Sequence, residues 1–202
     1  MAKHPVNMDG ESLSPQREQA GHINYDSLIR NWHIKASEED YFSKFVFEYL
    51  AFIAFLKQKK FTDCSKDRIA IQCLKQDRGI KTDYLEKIQN NRQLKKAWEN
   101  ITQELSNASL GNTSGGGNEI EEIKWWNCSH QDLQQQTEEE KRKIKGVIHN
   151  LNDWENMVEY WSAIRNNLFH GTKNPQDKRD RILVENGYKT LREVVEILLS
   201  EE

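Results

Sequence analysis

Apolar residues recur every three or four positions in separate blocks along the chain. Phe42, Phe45, Tyr49, Phe52 and Leu56 form the strongest block. Val46, Phe47, Leu50, Ile53 and Phe55 widen it beyond one stripe, which predicts a central helix touching more than one neighbour. Ser37 and Asp40 have the spacing of a capping box, so this helix is expected to begin near Ser37. Ser65 is placed to cap a segment with Ile69, Cys73 and Leu74. Asp83 is placed to start another with Tyr84, Leu85 and Ile88. Leu94, Trp98, Ile101 and Leu105 mark a clearer amphipathic helix.

Residues 106–118 hold Gly111 and the run Gly115, Gly116, Gly117, which predicts a surface loop inside one domain. Ile120, Ile123, Trp125 and Trp126 are expected to return to the core. Thr137 and Glu140 make a second capping box, opening a helix with Ile144, Val147 and Ile148. Asn152 and Glu155 are placed to cap the next helix, with Trp154, Met157, Val158, Trp161, Ile164 and Leu168 on one side. Gly171 offers that helix a left-handed stop, and Pro175 blocks its continuation. A last helix is expected from about Asp177 to about Leu199, carrying Val184, Tyr188, Leu191, Val195 and Leu198. No strand, hairpin or repeat pattern is visible. The expected architecture is a single all-α bundle over residues 25–202. Residues 1–24 are polar, carry Pro5 and Pro15 and have no apolar period, so they read as a disordered or loosely attached tail.

Composition narrows the function classes. The chain has 202 residues, 36% hydrophobic and 30% charged, a balance suited to a helical domain with charged outer faces. A formal charge of −3 argues against a general nucleic-acid coat, so any contact with nucleic acid is expected to be local. The richest apolar stretch, Tyr41 to Leu56, is broken by Ser43, Lys44 and Glu48, and no membrane span is expected. The N-terminus lacks the apolar core of a signal peptide. Cys64, Cys73 and Cys128 form no CxxC pair, so no zinc site is expected, and their odd number fits a reduced, cytoplasmic protein. His4, His22, His33, His130 and His149 show no ligand spacing, so no metal and no cofactor are expected.

The candidate chemistry lies in Arg165-Asn166-Asn167-Leu168-Phe169-His170, followed at once by Gly171. Arg165 falls one turn after Trp161 and beside Leu168, inside the apolar stripe. A guanidinium there is costly unless it finds a partner. Asn166 and His170 are four residues apart and share a face. An ideal helix separates Arg165 from His170 by about 140°. The two converge if the last turn distorts, if the arginine reaches round, or if a second subunit supplies one of them. Internal RNA cleavage needs a proton acceptor for the 2′-hydroxyl and a donor for the departing 5′-oxygen. A histidine, with a reference pKa of about 6.5, serves either role. An arginine stabilises charge on the phosphoryl oxygens, and an amide orients either partner. Lys173, Lys178, Arg179 and Arg181 flank the turn and are placed to hold RNA phosphates, although the interspersed Asp177 and Asp180 fit a mixed, solvated helix start equally well. Taken singly, Arg165 also reads as a snorkelling side chain and His170 as a residue interacting with the helix dipole.

The string Ile164 to Lys173, IRNNLFHGTK, together with Arg179-Asp180 downstream, resembles the ribonuclease motif of the HEPN superfamily (higher eukaryotes and prokaryotes nucleotide-binding). The detailed likeness covers residues 155–200. It implies a helical bundle that dimerises so that two motif helices form a composite cleft, where many members cut RNA without a metal. Carried onto this chain, the functional positions are Arg165, Asn166 and His170. HEPN toxins paired with nucleotidyltransferase antitoxins often carry a tyrosine two residues after the histidine; here that residue is Thr172. The resulting expectation is a homodimeric, metal-independent endoribonuclease of a toxin–antitoxin or antiphage system, with RNA as substrate and an antitoxin or defence complex as partner. The alternatives are an inactive HEPN-like module that binds nucleic acid or nucleotide, and a dimerisation module within a larger complex.

Overall fold

The computed structural model describes residues 24–37, 39–108, 110 and 146–201. The expectations for the tail over 1–23, for the loop over 111–118, for Ile120, Ile123, Trp125 and Trp126, and for the helix opening at Thr137 lie outside the described residues. Seven α-helices occur among the described residues: α1 (Tyr25–Ala36), α2 (Tyr41–Phe55), α3 (Asp67–Gln76), α4 (Arg78–Asn90), α5 (Arg92–Asn107), α6 (Trp154–Phe169) and α7 (Lys178–Ser200). A π-helical turn, Leu56–Lys60, prolongs α2. No described residue lies in a strand, so the chain is all-α as expected. No helix among the described residues is long and apolar enough to cross a membrane.

Short polar side chains decide where the helices begin, and several do so at other positions than the sequence predicts. Asn24 opens α1 by accepting a hydrogen bond from the Ser27 amide (3.1 Å). Ser37, expected to open α2, instead closes α1 by donating its hydroxyl to the Ile34 carbonyl (2.7 Å). Asp40 caps α2, accepting from the amides of Phe42 (2.9 Å) and Ser43 (3.4 Å). The Ser43 hydroxyl and then these amides hold the Asp40 carboxyl below its ordinary range. Helix α3 starts after Lys66 with no side-chain cap, so Ser65 has no capping role. Asp77 ends α3 and opens α4, accepting from the Ile80 amide (3.0 Å). Asp83 therefore sits inside α4 rather than at its start. Asn91 makes the same one-residue joint between α4 and α5. Asp153, not Asn152, stands at the start of α6; its carboxylate accepts from the His149 amide and the Asn156 side chain. Val147 and Ile148, expected in a helix, lie in irregular chain.

The core is aromatic and centred on α6. Trp161 has the rings of Phe52, Tyr84, Trp98 and Trp154 around it, with centroids 5.7–6.2 Å away. Its indole donates to the Thr190 hydroxyl (3.0 Å). The Tyr84 hydroxyl donates to the Thr190 carbonyl (2.8 Å) and accepts from the Trp98 indole (3.0 Å). These bonds satisfy polar atoms that would otherwise be costly to bury. Helix α7 crosses α2 closely at Gly187, where an added Cβ would lie 3.2 Å from the Phe45 ring. Helix α1 docks on α2 through the stacked Trp32–Phe47 pair and a 2.7 Å contact from His33 Nδ1 to Glu48 Oε1. Glu48 is fully enclosed. Burial pushes its carboxyl above the ordinary range, opposed by His33 and Arg192 and reinforced by Glu196.

Two outcomes follow. Gly171 has φ +68°, so Gly171→Ala should destabilise the protein by about 1 kcal/mol, lowering the melting temperature by roughly 2–4 °C; an unchanged melting temperature would contradict its role as the stop of α6. Because folding raises the Glu48 pKa, the folded state retains a proton that the unfolded chain has lost. That contribution is complete below the unfolded value near 4.5 and disappears as pH rises through the folded value. Urea unfolding should therefore show wild type losing stability relative to Glu48→Gln as pH rises above 4.5; a gap independent of pH would refute it.

Candidate functional site

The last turn of α6 is closed by backbone bonds. The Gly171 amide donates to the Leu168 carbonyl (3.0 Å) and the Thr172 amide to the Asn167 carbonyl (3.0 Å), the paired bonds of a Schellman stop. The His170 amide donates to the Asn166 carbonyl (2.9 Å), keeping the turn α-helical up to His170. The turn is therefore not distorted in a way that would swing His170 toward Arg165.

Arg165 is half-buried. Its Nη1 donates to Asn166 Oδ1 (3.0 Å). The guanidinium carbon stands 4.6 Å from the centre of the Phe169 ring and 5.9 Å from that of Tyr49, within the reach of a cation–π contact. Among the described residues, no carboxylate pairs with it. Arg165 and Asn166 line a cleft of about 240 Å³ between α2, α3 and α6, shared with Tyr49, Arg68, Glu159 and Ser162. The Tyr49 hydroxyl lies 3.5 Å from Ser162 Oγ, and burial raises its phenol above the ordinary range. His170 is exposed and does not line this cleft. The structure thus joins two of the three motif residues in one chain and leaves the imidazole outside.

The four flanking cations divide into two pairs. Lys173 is 7% exposed and its ammonium sits 2.6 Å from Asp180 Oδ1. Asp180 Oδ2 accepts from the Asn174 amide (2.9 Å), so this ion pair builds the turn between α6 and α7. Arg179 donates through Nη2 to the Ala108 carbonyl, tying α7 to the end of α5. Both are already engaged within the fold. Lys178 and Arg181 are exposed on the first turn of α7, which leaves them free to meet a solvated anion.

Sequence reasoning missed the acidic centre of the cleft. Glu159, on α6 between Val158 and Tyr160, is fully buried. Its two oxygens meet Lys75 Nζ at 2.8 Å and Arg68 Nη1 at 2.5 Å. The partners lie 84 and 91 residues away in sequence, so no local spacing announces them. The one available signal was an acid inside an otherwise enclosed stretch, which demands a buried cation.

A second, apolar cavity of about 320 Å³ is lined by Phe42, Val46, Phe47, Leu168 and Phe169. Phe169 is 59% exposed, a large apolar side chain next to His170 that α6 does not cover. The Cys64 and Cys73 sulfurs lie 3.6 Å apart, and no group of three or more potential metal ligands converges among the described residues. Comparison with protein-family models, with curated proteins and with solved structures finds no match for this chain.

Proposed function

We propose that this chain is a metal-independent endoribonuclease of the HEPN type. The observation that carries the reading is the half-buried Arg165 guanidinium, facing an open cleft beside the Asn166 amide and neutralised by no carboxylate among the described residues. A cation so placed favours an incoming anion, and its forked donors fit phosphoryl oxygens. In the reaction, an imidazole takes the 2′-hydroxyl proton, that oxygen attacks the adjacent phosphorus, and the 5′-oxygen leaves with a proton. The products are a 2′,3′-cyclic phosphate and a 5′-hydroxyl. Arg165 stabilises the charge gathering on the phosphoryl oxygens, Asn166 orients the linkage, and His170 moves the proton.

Because His170 stands outside the Arg165 cleft of its own chain, the complete site is assigned to two copies related by a twofold axis. The apolar surface of Phe42, Phe47, Leu168 and Phe169, which ends one residue before His170 in the chain, provides the area on which a second copy would pack. A toxin–antitoxin or antiphage setting, with an antitoxin or activating complex as partner, follows from the same reading, since unrestrained RNA cutting harms a cell. The position of His170 also favours a second reading, an inactive module that binds nucleic acid or nucleotide through Arg165 alone.

Cleavage of single-stranded and structured RNA should survive chelation of divalent cations. It should fall about 10²–10³-fold in Arg165→Ala and about 10²–10⁴-fold in His170→Ala. Mixing the two inactive variants should restore roughly a quarter of wild-type activity, because half the dimers are mixed and each mixed dimer has one intact composite site. RNA binding without cleavage by wild type would select the binding module. Activity lost to a chelator would refute the metal-free mechanism, and failure of the mixture would refute the two-chain site.

A further inference from the structure

We propose that Arg68, on α3, is a second phosphate-binding arginine of this cleft and takes the phosphodiester next to the one held by Arg165. The inference rests on the proposed RNA site and extends it to a residue outside the 164–173 string. Arg68, on α3, and Arg165, on α6, line the same cleft, together with Ser162 and Asn166 of α6.

The charge arrangement sets Arg68 apart from an ordinary surface arginine. Glu159 is fully buried and would demand compensation by itself. Lys75, with a side chain only 3% exposed, supplies that compensation at 2.8 Å. Arg68 is thus a second cation on an acid already neutralised from within, and the three groups together carry one net positive charge. Its side chain is 47% exposed. With the Gln72 amide oxygen turned toward it, Arg68 also donates through Nη2 at 2.6 Å. The guanidinium is therefore held from two sides while part of its five-donor fork remains open to the cleft. Asp67, the other acid lining the cleft, is paired with Lys57 at 2.9 Å. Among the described residues, the cleft with Lys57 and Lys75 thus holds two more cations than acids, with Arg68 and Arg165 the two not needed for neutralisation. Two adjacent phosphodiesters of one strand, each carrying a single negative charge, match that excess.

Binding is separable from cleavage in a His170→Ala background with a 2′-O-methyl oligonucleotide, followed by fluorescence anisotropy over a salt series. Adding Arg68→Ala should weaken binding about tenfold. It should also reduce the slope of log K against log salt by about 0.7, the value for one phosphate contact on a single strand. Lys75 still neutralises Glu159 in this variant, and its melting curve shows whether the fold is kept. If that variant unfolds, Arg68→Lys decides: it keeps a charge beside Glu159 and should weaken binding several-fold with an unchanged slope. Unaltered affinity in the folded variant overturns the assignment of Arg68 while leaving the ribonuclease reading intact. No binding of the 2′-O-methyl oligonucleotide by wild type, which cannot cleave it, removes both. A 5′-mononucleotide bound as tightly as the oligonucleotide would replace the internal linkage by a terminal phosphate and overturn the proposal in that form.

Discussion

A guanidinium on a helix that is enclosed on most sides favours an anion, and no carboxylate among the described residues pairs with Arg165. Ten of the sixteen residues of α6 are buried, because Trp154, Trp161 and Tyr160 must reach partners on α4, α5 and α7. That enclosure fixes the rotation of α6. It also fixes where Glu159 and Arg165 lie, since residues six apart project to different parts of the helix surface. Glu159 finds Lys75 and Arg68, whereas Arg165 finds an amide and two aromatic faces. The contrast is chemical: the Glu159 charge is neutralised within the fold, whereas Arg165 has no carboxylate partner among the described residues.

The stop after His170 adds a second constraint. Only a residue comfortable at φ +68° lets the amides of residues 171 and 172 return to the last carbonyls of α6. With that closure, the chain leaves the helix at His170 and turns through the Lys173–Asp180 pair into α7. The imidazole is presented outward at the end of the helix, beside the exposed Phe169 ring, rather than folded back into the Arg165 cleft. The proposed two-chain site rests on this outward histidine.

Much of this was legible in the sequence, for local reasons. Helices α5 and α7 show clean three-and-four spacing, and Gly171 announces its conformation through its residue type. The separation of Arg165 and His170 followed from helix geometry alone. Helix α1 was missed although Tyr25, Leu28, Ile29, Trp32 and Ala36 recur every three or four residues, with Tyr25 and Trp32 packed against the core. The true starts of α2 and α4 were missed because Asp40 and Asp77 act through bonds to nearby amides that compete with equally plausible caps at Ser37 and Asp83. For Lys173 and Arg179 the sequence left phosphate contacts and a mixed helix start equally open; their engagement with Asp180 and with the Ala108 carbonyl appears only once the helices pack. The Glu159 centre joins α6 to α3 across most of the chain length and has no local signature.

The claim beneath the rest is that Arg165 is an unneutralised cation waiting for a phosphoryl group. Its guanidinium Nε–H signal, followed by proton–nitrogen NMR during titration with a 2′-deoxy dinucleotide that cannot be cleaved, tests this directly. The account predicts a saturable shift at Arg165, with the Arg179 signal unmoved because that side chain is already tied to a carbonyl. A stationary Arg165 signal at saturating dinucleotide, in a folded sample, would contradict it.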